Sequence, residues 1–313
     1  MFTNTALGVL GLALLLLVLA QAMNRLMPET AARWIHKGLR RRAGMALAVQ
    51  QLQGFQTPYL HGGKGDTLVL LHEVASSKDR LINLAFHLTG HMRLLIPDLV
   101  GHGDADKDSN TDYSIAAQVE RVRKFVKSQN LAQVHLGGVG MGGTIAAWYA
   151  AQYPDEVASL WLLGASATQE AWQADWVQVY DATGKNPYVV QTMNEHLAHW
   201  RFAMGETNYL PYCMVRAWAN AGAKTFALHQ SILKTLRQTP AIENHYTALK
   251  TPALIVGGEL DRAVPPASVK TLAKVFTRAQ TIVVQDMGHV PHLEAPAQTA
   301  KDYLAFRAKL AGG

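Results

Sequence analysis

Cysteine is nearly absent: Cys213 is the single one in 313 residues. One thiol can close no internal disulfide and build no thiolate cluster. Its setting is that of an ordinary core residue, not of a nucleophile. Charge is also scarce, and it is uneven. Residues 24–43 hold Arg25, Arg33, Lys37, Arg40, Arg41 and Arg42 against one acid, Glu29. That stretch supplies five of the six net positive charges, so the remainder is near neutral. A near-neutral body has no excess charge from which to build a nucleic-acid-binding face. Internal repeats and low-complexity tracts are missing. Neither a metal nor a cofactor is expected.

One long apolar run is present. Ala6 to Ala20 is uninterrupted, and with Gln21 to Met23 it reaches about the minimum length of a membrane-spanning helix. Ala20-Gln21-Ala22 resembles a signal-peptidase site, the rival reading. The absence of Lys or Arg before residue 6 weighs against it. Residues 1–23 are therefore expected to be a transmembrane anchor. Residues 24–45 are expected to be a juxtamembrane helix whose six basic side chains meet anionic headgroups, the alternative being a solvated linker.

Beyond the anchor, short apolar runs alternate with helical patterns. Two weaker β stretches, near 46–52 and 57–61, precede runs at Thr67–Leu71, Met92–Ile96, Gln133–Gly137, Val157–Leu163, Ala253–Gly257 and Thr281–Val284. Ser114–Lys127 and Ala297–Leu310 have helical spacing. Apolar strands separated by helices predict an α/β fold: a mostly parallel sheet with helices on both faces. Residues 168–248 break the rhythm with Trp172, Trp176, Trp200, Trp218, Tyr180, Tyr188, Tyr209 and Tyr212. They are expected to form a helical lid over a greasy pocket, with 46–167 and 249–313 as the core.

The chemistry centres on Gly138-Val139-Gly140-Met141-Gly142. A strand before it and a helix after it make the context of the G-x-S-x-G nucleophile elbow, yet the central residue is Gly140. Glycine can neither attack a carbonyl nor donate a proton. Asp261 follows one later strand and His289 the next, so chain order is elbow, acid, histidine. Asp261 would orient His289, and His289 would be the general base. An oxyanion hole needs only backbone N–H groups, here Met141 and Val74. Glu73 is the anomaly: beside that hole it would oppose a developing negative charge, and the alternative is that it points to solvent.

Over about residues 55–312 these features resemble the α/β-hydrolase family. The likeness is nearest to membrane-anchored lipases of the monoacylglycerol-lipase and bacterial inner-membrane phospholipase A kinds. It rests on Leu70-Leu71-His72, Ser77-Lys78-Asp79, Asp98 with Gly101-His102-Gly103, Met141-Gly142-Gly143, Tyr153-Pro154, Asp261, and Gly288-His289 with Glu294 and Pro296. The chain departs from the family pattern at His72-Glu73-Val74 (usually His-Gly-Phe), Val100 (usually proline), Ala105 (usually serine) and Val139-Gly140 (usually Asn-Ser or similar). The N-myc downstream-regulated group also lacks the elbow serine.

The resemblance implies a lipid membrane and a fatty acid or acyl ester as partners, with the bacterial inner membrane as location. A homodimer is compatible with the sequence. Three functions stand open. One is a pseudo-hydrolase that binds lipid. Another is a His289–Asp261 enzyme without covalent catalysis. The last is a serine-to-glycine variant of an active lipase or phospholipase.

Overall fold

The computed structural model describes residues 2–205 and 210–312, with side chains from residue 9 onward. Tyr209, one of the aromatics of the expected lid, lies outside the described residues.

An eight-stranded sheet forms the centre. Its strands are β1 (Met45–Leu52), β2 (Phe55–Gly62), β3 (Thr67–Leu71), β4 (Arg93–Pro97), β5 (Val134–Val139), β6 (Val157–Leu163), β7 (Ala253–Gly258) and β8 (Ala279–Val284). Their spatial order is β1-β2-β4-β3-β5-β6-β7-β8. β1 pairs antiparallel with β2, and β2 with β4; every later pairing is parallel. The continuous apolar runs β3, β5, β6 and β7 occupy the middle, where both faces are covered. β1 and β8 are edges, and alternate residues there face outward.

The helices are α1 (Phe2–Leu26), α2 (Pro28–Arg42), α3 (Ile82–Leu88), α4 (Ile115–Ser128), α5 (Met141–Gln152), α6 (Asp175–Thr183), α7 (Met193–Ala203), α8 (Tyr212–Arg237), α9 (Ala267–Val275), α10 (Pro291–Glu294) and α11 (Pro296–Ala311). One apolar core packs α4, α5 and α9 on one face of the sheet. A second packs α3 and α11 on the other, with Trp161 stacked on Tyr303 at 4.1 Å. Ser114 caps α4 by accepting from the Ala117 amide, the usual role of serine at a helix start.

Between β6 and β7 the chain forms α6, α7 and α8, with no strand among the described residues. α7 opens with a capping box of Thr192 and Glu195. Its Trp200 and the Trp218 of α8 lie 5.7 Å apart.

The N-terminal helices do not trail free. The window Val9–Leu26 of α1 has mean hydropathy 1.9 and none of it is buried in the protein. α2, expected to meet anionic headgroups or to be a solvated linker, packs one face on α8. Ala31 and Ala32 are buried against Cys213 and Met214. Asn24 accepts from the Cys213 amide at 3.0 Å.

Candidate active site

The turn from β5 into α5 is centred on Gly140, at φ 51° and ψ −114°. Positive φ there suits glycine. Two residues on, a Cβ at Gly142 would stand 2.3 Å from the Leu71 carbonyl oxygen. Only glycine lets α5 approach the end of β3 that closely. This approach brings the loop after β3, His72-Glu73-Val74, against the elbow.

His72 fixes that loop. Its Nε2 accepts from the Leu99 amide at 3.0 Å, so its proton is on Nδ1 and is donated to the Glu73 carbonyl at 2.8 Å. Burial keeps His72 below its ordinary pKa, in line with a neutral ring. Beneath it, fully buried Lys78 donates to Asp98 at 2.7 Å and to Asp104 at 2.6 Å.

Asp261 and His289 are brought together at the ends of their strands. Asp261 Oδ1 accepts from the amides of Ala263 and Val264, both at 2.8 Å. That leaves Oδ2 for His289 Nδ1, also at 2.8 Å. His289 is buried, and its own amide donates to the Ala203 carbonyl at the end of α7.

Glu73 does not point to solvent; it lies beside Gly140, Val74 and Met141, where it also meets His289. Its Oε1 lies 2.7 Å from His289 Nε2, with its side chain only 12% exposed. A Cβ built on Gly140 would stand 2.6 Å from the same oxygen, and 3.0 Å from Cγ and Cδ. The carboxylate therefore fills the space that a side chain at the elbow would need. Among the described residues no hydroxyl or thiol hydrogen-bonds to His289. Cys213 sits away from the site, under α2.

The electrostatics follow from this row of three. Burial opposes a charge on His289, but Asp261 and Glu73 flank the ring and outweigh it, so its pKa lies well above the ordinary value. Burial likewise opposes a charge on Glu73, but His289 outweighs it and lowers that pKa. At neutral pH these two shifts make the Glu73–His289 contact a carboxylate against an imidazolium. An imidazolium already holding both protons cannot act as a general base. The amides of Val74 and Met141 donate to no acceptor among the described residues. Both residues line a small void with Glu73, Gly140 and His289.

A much larger cavity, about 720 Å³, opens on the other side of Glu73. Tyr188, Trp200 and Trp218 of the β6–β7 insertion line it, as do Arg33, Lys37, Arg40 and Arg41 of α2. Not all six basic residues are equivalent. Arg40 is spent on Asp79, through two hydrogen bonds of 2.8 and 2.6 Å. Arg25 lies over the Tyr212 ring at 4.5 Å and Arg42 over Phe86 at 4.9 Å. Arg33 reaches its own helix at Thr30. Lys37 and Arg41 remain at the cavity mouth.

The sequence reading missed the Glu73–His289 contact, although the position of Glu73 directly after β3 was a usable signal. It also missed Arg80 and the pairs His196/His199 and His289/His292, each spaced to share a helical face or turn. No cluster of His, Cys, Asp or Glu that could hold a metal occurs among the described residues.

Comparison with known proteins bears on this geometry. The model of the alpha/beta hydrolase fold family matches residues 60–296. Lipase 1 of Psychrobacter immobilis is 33% identical over 252 residues, 79% of this chain and 78% of the lipase. Monoacylglycerol lipase ABHD6 of Rattus norvegicus is 28% identical, over 90% of this chain and 88% of that enzyme. The crystal structure of a membrane phospholipase A, described as a bacterial virulence factor, superposes with a TM-score of 0.88. It is 29% identical and the match covers 97% of this chain and 99% of that one.

Proposed function

We propose, for a chain that belongs to the α/β-hydrolase family, a membrane-anchored protein that binds fatty acyl lipid and does not hydrolyse it through a serine. The observation that carries this reading is Glu73: its carboxylate holds His289 and fills the volume over Gly140. A serine there would require Glu73 to move, which sets the chain apart from a one-residue variant of an active lipase. The lipid class follows from the lipases and phospholipase it resembles. The insertion 168–248 acts as the lid, and the 720 Å³ cavity beneath Trp200 and Trp218 is the acyl site. That volume is within the range of small-molecule sites. The anchor is α1, none of whose apolar window is buried, and the bacterial inner membrane is the proposed location.

Two measurements test this. Fluorophosphonate probes should not label the protein. Gentle purification followed by lipid extraction should recover an acyl lipid. Stoichiometric labelling near His289 would overturn the first half; no recovered lipid and no binding of added oleate would overturn the second.

The same contact favours a second reading. The free oxygen of the Glu73 carboxylate, held in place by His289, could itself take a proton from water without a covalent intermediate. Hydrolysis of p-nitrophenyl butyrate by the unmodified chain, abolished by Glu73→Gln, would favour it over the binding role.

A further inference from the structure

A carboxylate stands where a hydrolase elbow would present its nucleophile. Glu73 Oε1 is 2.6 Å from a Cβ built on Gly140 and 2.7 Å from His289 Nε2. The other oxygen, Oε2, accepts from no group among the described residues and is not sealed from solvent. Glu73 lines the 720 Å³ cavity, so Oε2 is the oxygen left for a ligand there.

The same cavity holds a proton donor. Tyr188 lines it, and its ring meets that of His289 edge-on at 6.2 Å. The Tyr188 hydroxyl also has no partner among the described residues and is not sealed from solvent. Burial and the charge of Glu73 hold its pKa well above the ordinary value, so the phenol keeps its proton.

These groups select the electrophile. A carboxylate that attacked an ester carbonyl would expel an alkoxide and leave an anhydride, an uphill exchange. At a saturated carbon it forms an ordinary ester, as carboxylate nucleophiles do at the sugar carbon of a glycoside. The carbon must carry a good leaving group, and a phenol suits one that leaves as oxygen and takes a proton. The strained ring of an epoxide meets both needs. The indoles of Trp200 and Trp218 on the cavity wall suit an alkyl chain around it.

We propose that Glu73 is a covalent nucleophile that opens the epoxide of a fatty chain held in this cavity. A Glu73 oxygen bonds to an epoxide carbon as the C–O bond there breaks. The electron pair goes to the ring oxygen, which takes the Tyr188 proton. Glu73 is then an uncharged ester. Its charge was one of the two that raised the His289 pKa. With it gone, His289 passes its extra proton to the tyrosinate and becomes a base. His289 next takes a proton from water, and the hydroxide adds to the ester carbon of Glu73. The unpaired amides of Val74 and Met141, which line the small void with Glu73, are the donors for the oxyanion so formed. Its collapse expels the chain's oxygen, which takes the proton left on the carboxyl. Glu73 is again a carboxylate beside an imidazolium. The sum is epoxide plus water giving a vicinal diol, with no other reactant. Only the choice of a fatty chain rests on the acyl-binding reading above.

The test runs one turnover of methyl epoxystearate with excess full-length chain, in maltoside micelles and water labelled with heavy oxygen. Mass spectrometry should find the label in the Glu73 peptide and none in the diol, because the diol takes its new oxygen from Glu73. Label in the diol and none in Glu73 would make Glu73 a base acting on water and overturn the nucleophile. In steady state Glu73→Gln should be slower by at least about a hundredfold, and Tyr188→Phe by about a hundredfold. An unchanged rate in either variant would overturn the role given to that residue. Binding of methyl stearate by equilibrium gel filtration shows that each variant is folded and separates the two readings. If the unmodified chain binds methyl stearate but forms no diol, this inference alone fails. If it binds no methyl stearate and forms no diol, the acyl-binding reading fails with it.

Discussion

Placing a serine at the elbow probes the site most directly. In Gly140→Ser the new Cβ would meet Glu73 Oε1 at 2.6 Å and two further Glu73 atoms at 3.0 Å. Glu73 must withdraw, and its 2.7 Å contact with His289 is lost. Two costs add. A non-glycine residue at φ 51° and ψ −114° costs about 1–3 kcal/mol. Losing a charged hydrogen bond costs about 1.5–3 kcal/mol; the full penalty of a severed buried pair does not apply, because Asp261 stays on His289 and Glu73 can turn into the cavity. The single variant should therefore be destabilised by about 2.5–6 kcal/mol and label with fluorophosphonate more slowly than the double variant, because the displaced Glu73 carboxylate still crowds the elbow. Glu73→Gly alone should lose only the hydrogen-bond part. In Gly140→Ser/Glu73→Gly the contact is removed once, not twice, so the two effects should fall short of additivity by about 1–3 kcal/mol. That double variant should label, because the introduced hydroxyl would then face His289 with Asp261 behind it. Denaturant unfolding of all four proteins in detergent gives the cycle, and gel fluorescence gives the labelling. Additivity within about 0.5 kcal/mol, or labelling of the single variant as fast as the double, would refute the claim that Glu73 stands in the nucleophile's place.

Other outcomes follow from the charges. The Glu73–His289 pair should stabilise the fold in a bounded pH window. The lowered Glu73 pKa makes its share complete above the usual carboxylate range and lost as pH falls through the depressed value. The raised His289 pKa makes its share complete below about 6.5 and lost as pH rises through the elevated value. The stability difference between the parent and Glu73→Gln should therefore be largest near pH 5–6 and shrink on both sides. A difference that is flat from pH 4 to pH 9 would contradict the pairing. Lys78→Met should cost about 3–5 kcal/mol in denaturant unfolding, because it removes one partner of the buried Lys78–Asp98 pair; a loss under 1 kcal/mol would contradict that pairing. Deleting residues 2–26 should move the protein out of the membrane fraction, and charge reversal of Lys37 and Arg41 should weaken residual binding to anionic vesicles in a salt-dependent way. Wash-off of the intact chain by salt alone would end the anchor reading.

The sheet was largely legible because its central strands are apolar on both faces, so period and length sufficed. Thr67–Leu71 and Val157–Leu163 keep their expected bounds. The edge strand β8 began two residues early, since its alternating exposure leaves a weak signal at its start. The order of Gly140, Asp261 and His289 was legible as chain order along a doubly covered sheet. The partner of His289 was not. Which way Glu73 turns depends on the proximity of α5 to β3, on the His72 hydrogen bonds and on the empty volume at Gly140, none of which is local in sequence. The packing of α2 was hidden for a related reason: a basic amphipathic pattern reads as lipid-facing, while its small residues Ala31 and Ala32 form the seam with α8.

That seam changes what the N-terminal helix can do. A flexible tether of n residues lets its load wander over a distance growing as the square root of n. Here α2 is clamped to α8 by Ala31 and Ala32, the end of α1 to α8 by Asn24 on Cys213, and α2 to the body by Arg40 on Asp79. A load held at three points has no slack. On the membrane reading, α1 works as a bracket: it sets the height and heading of the cavity mouth above the bilayer, so that one side of the protein always faces the lipid. A bent or shortened bracket would leave the protein membrane-bound and folded, with its doorway turned to water.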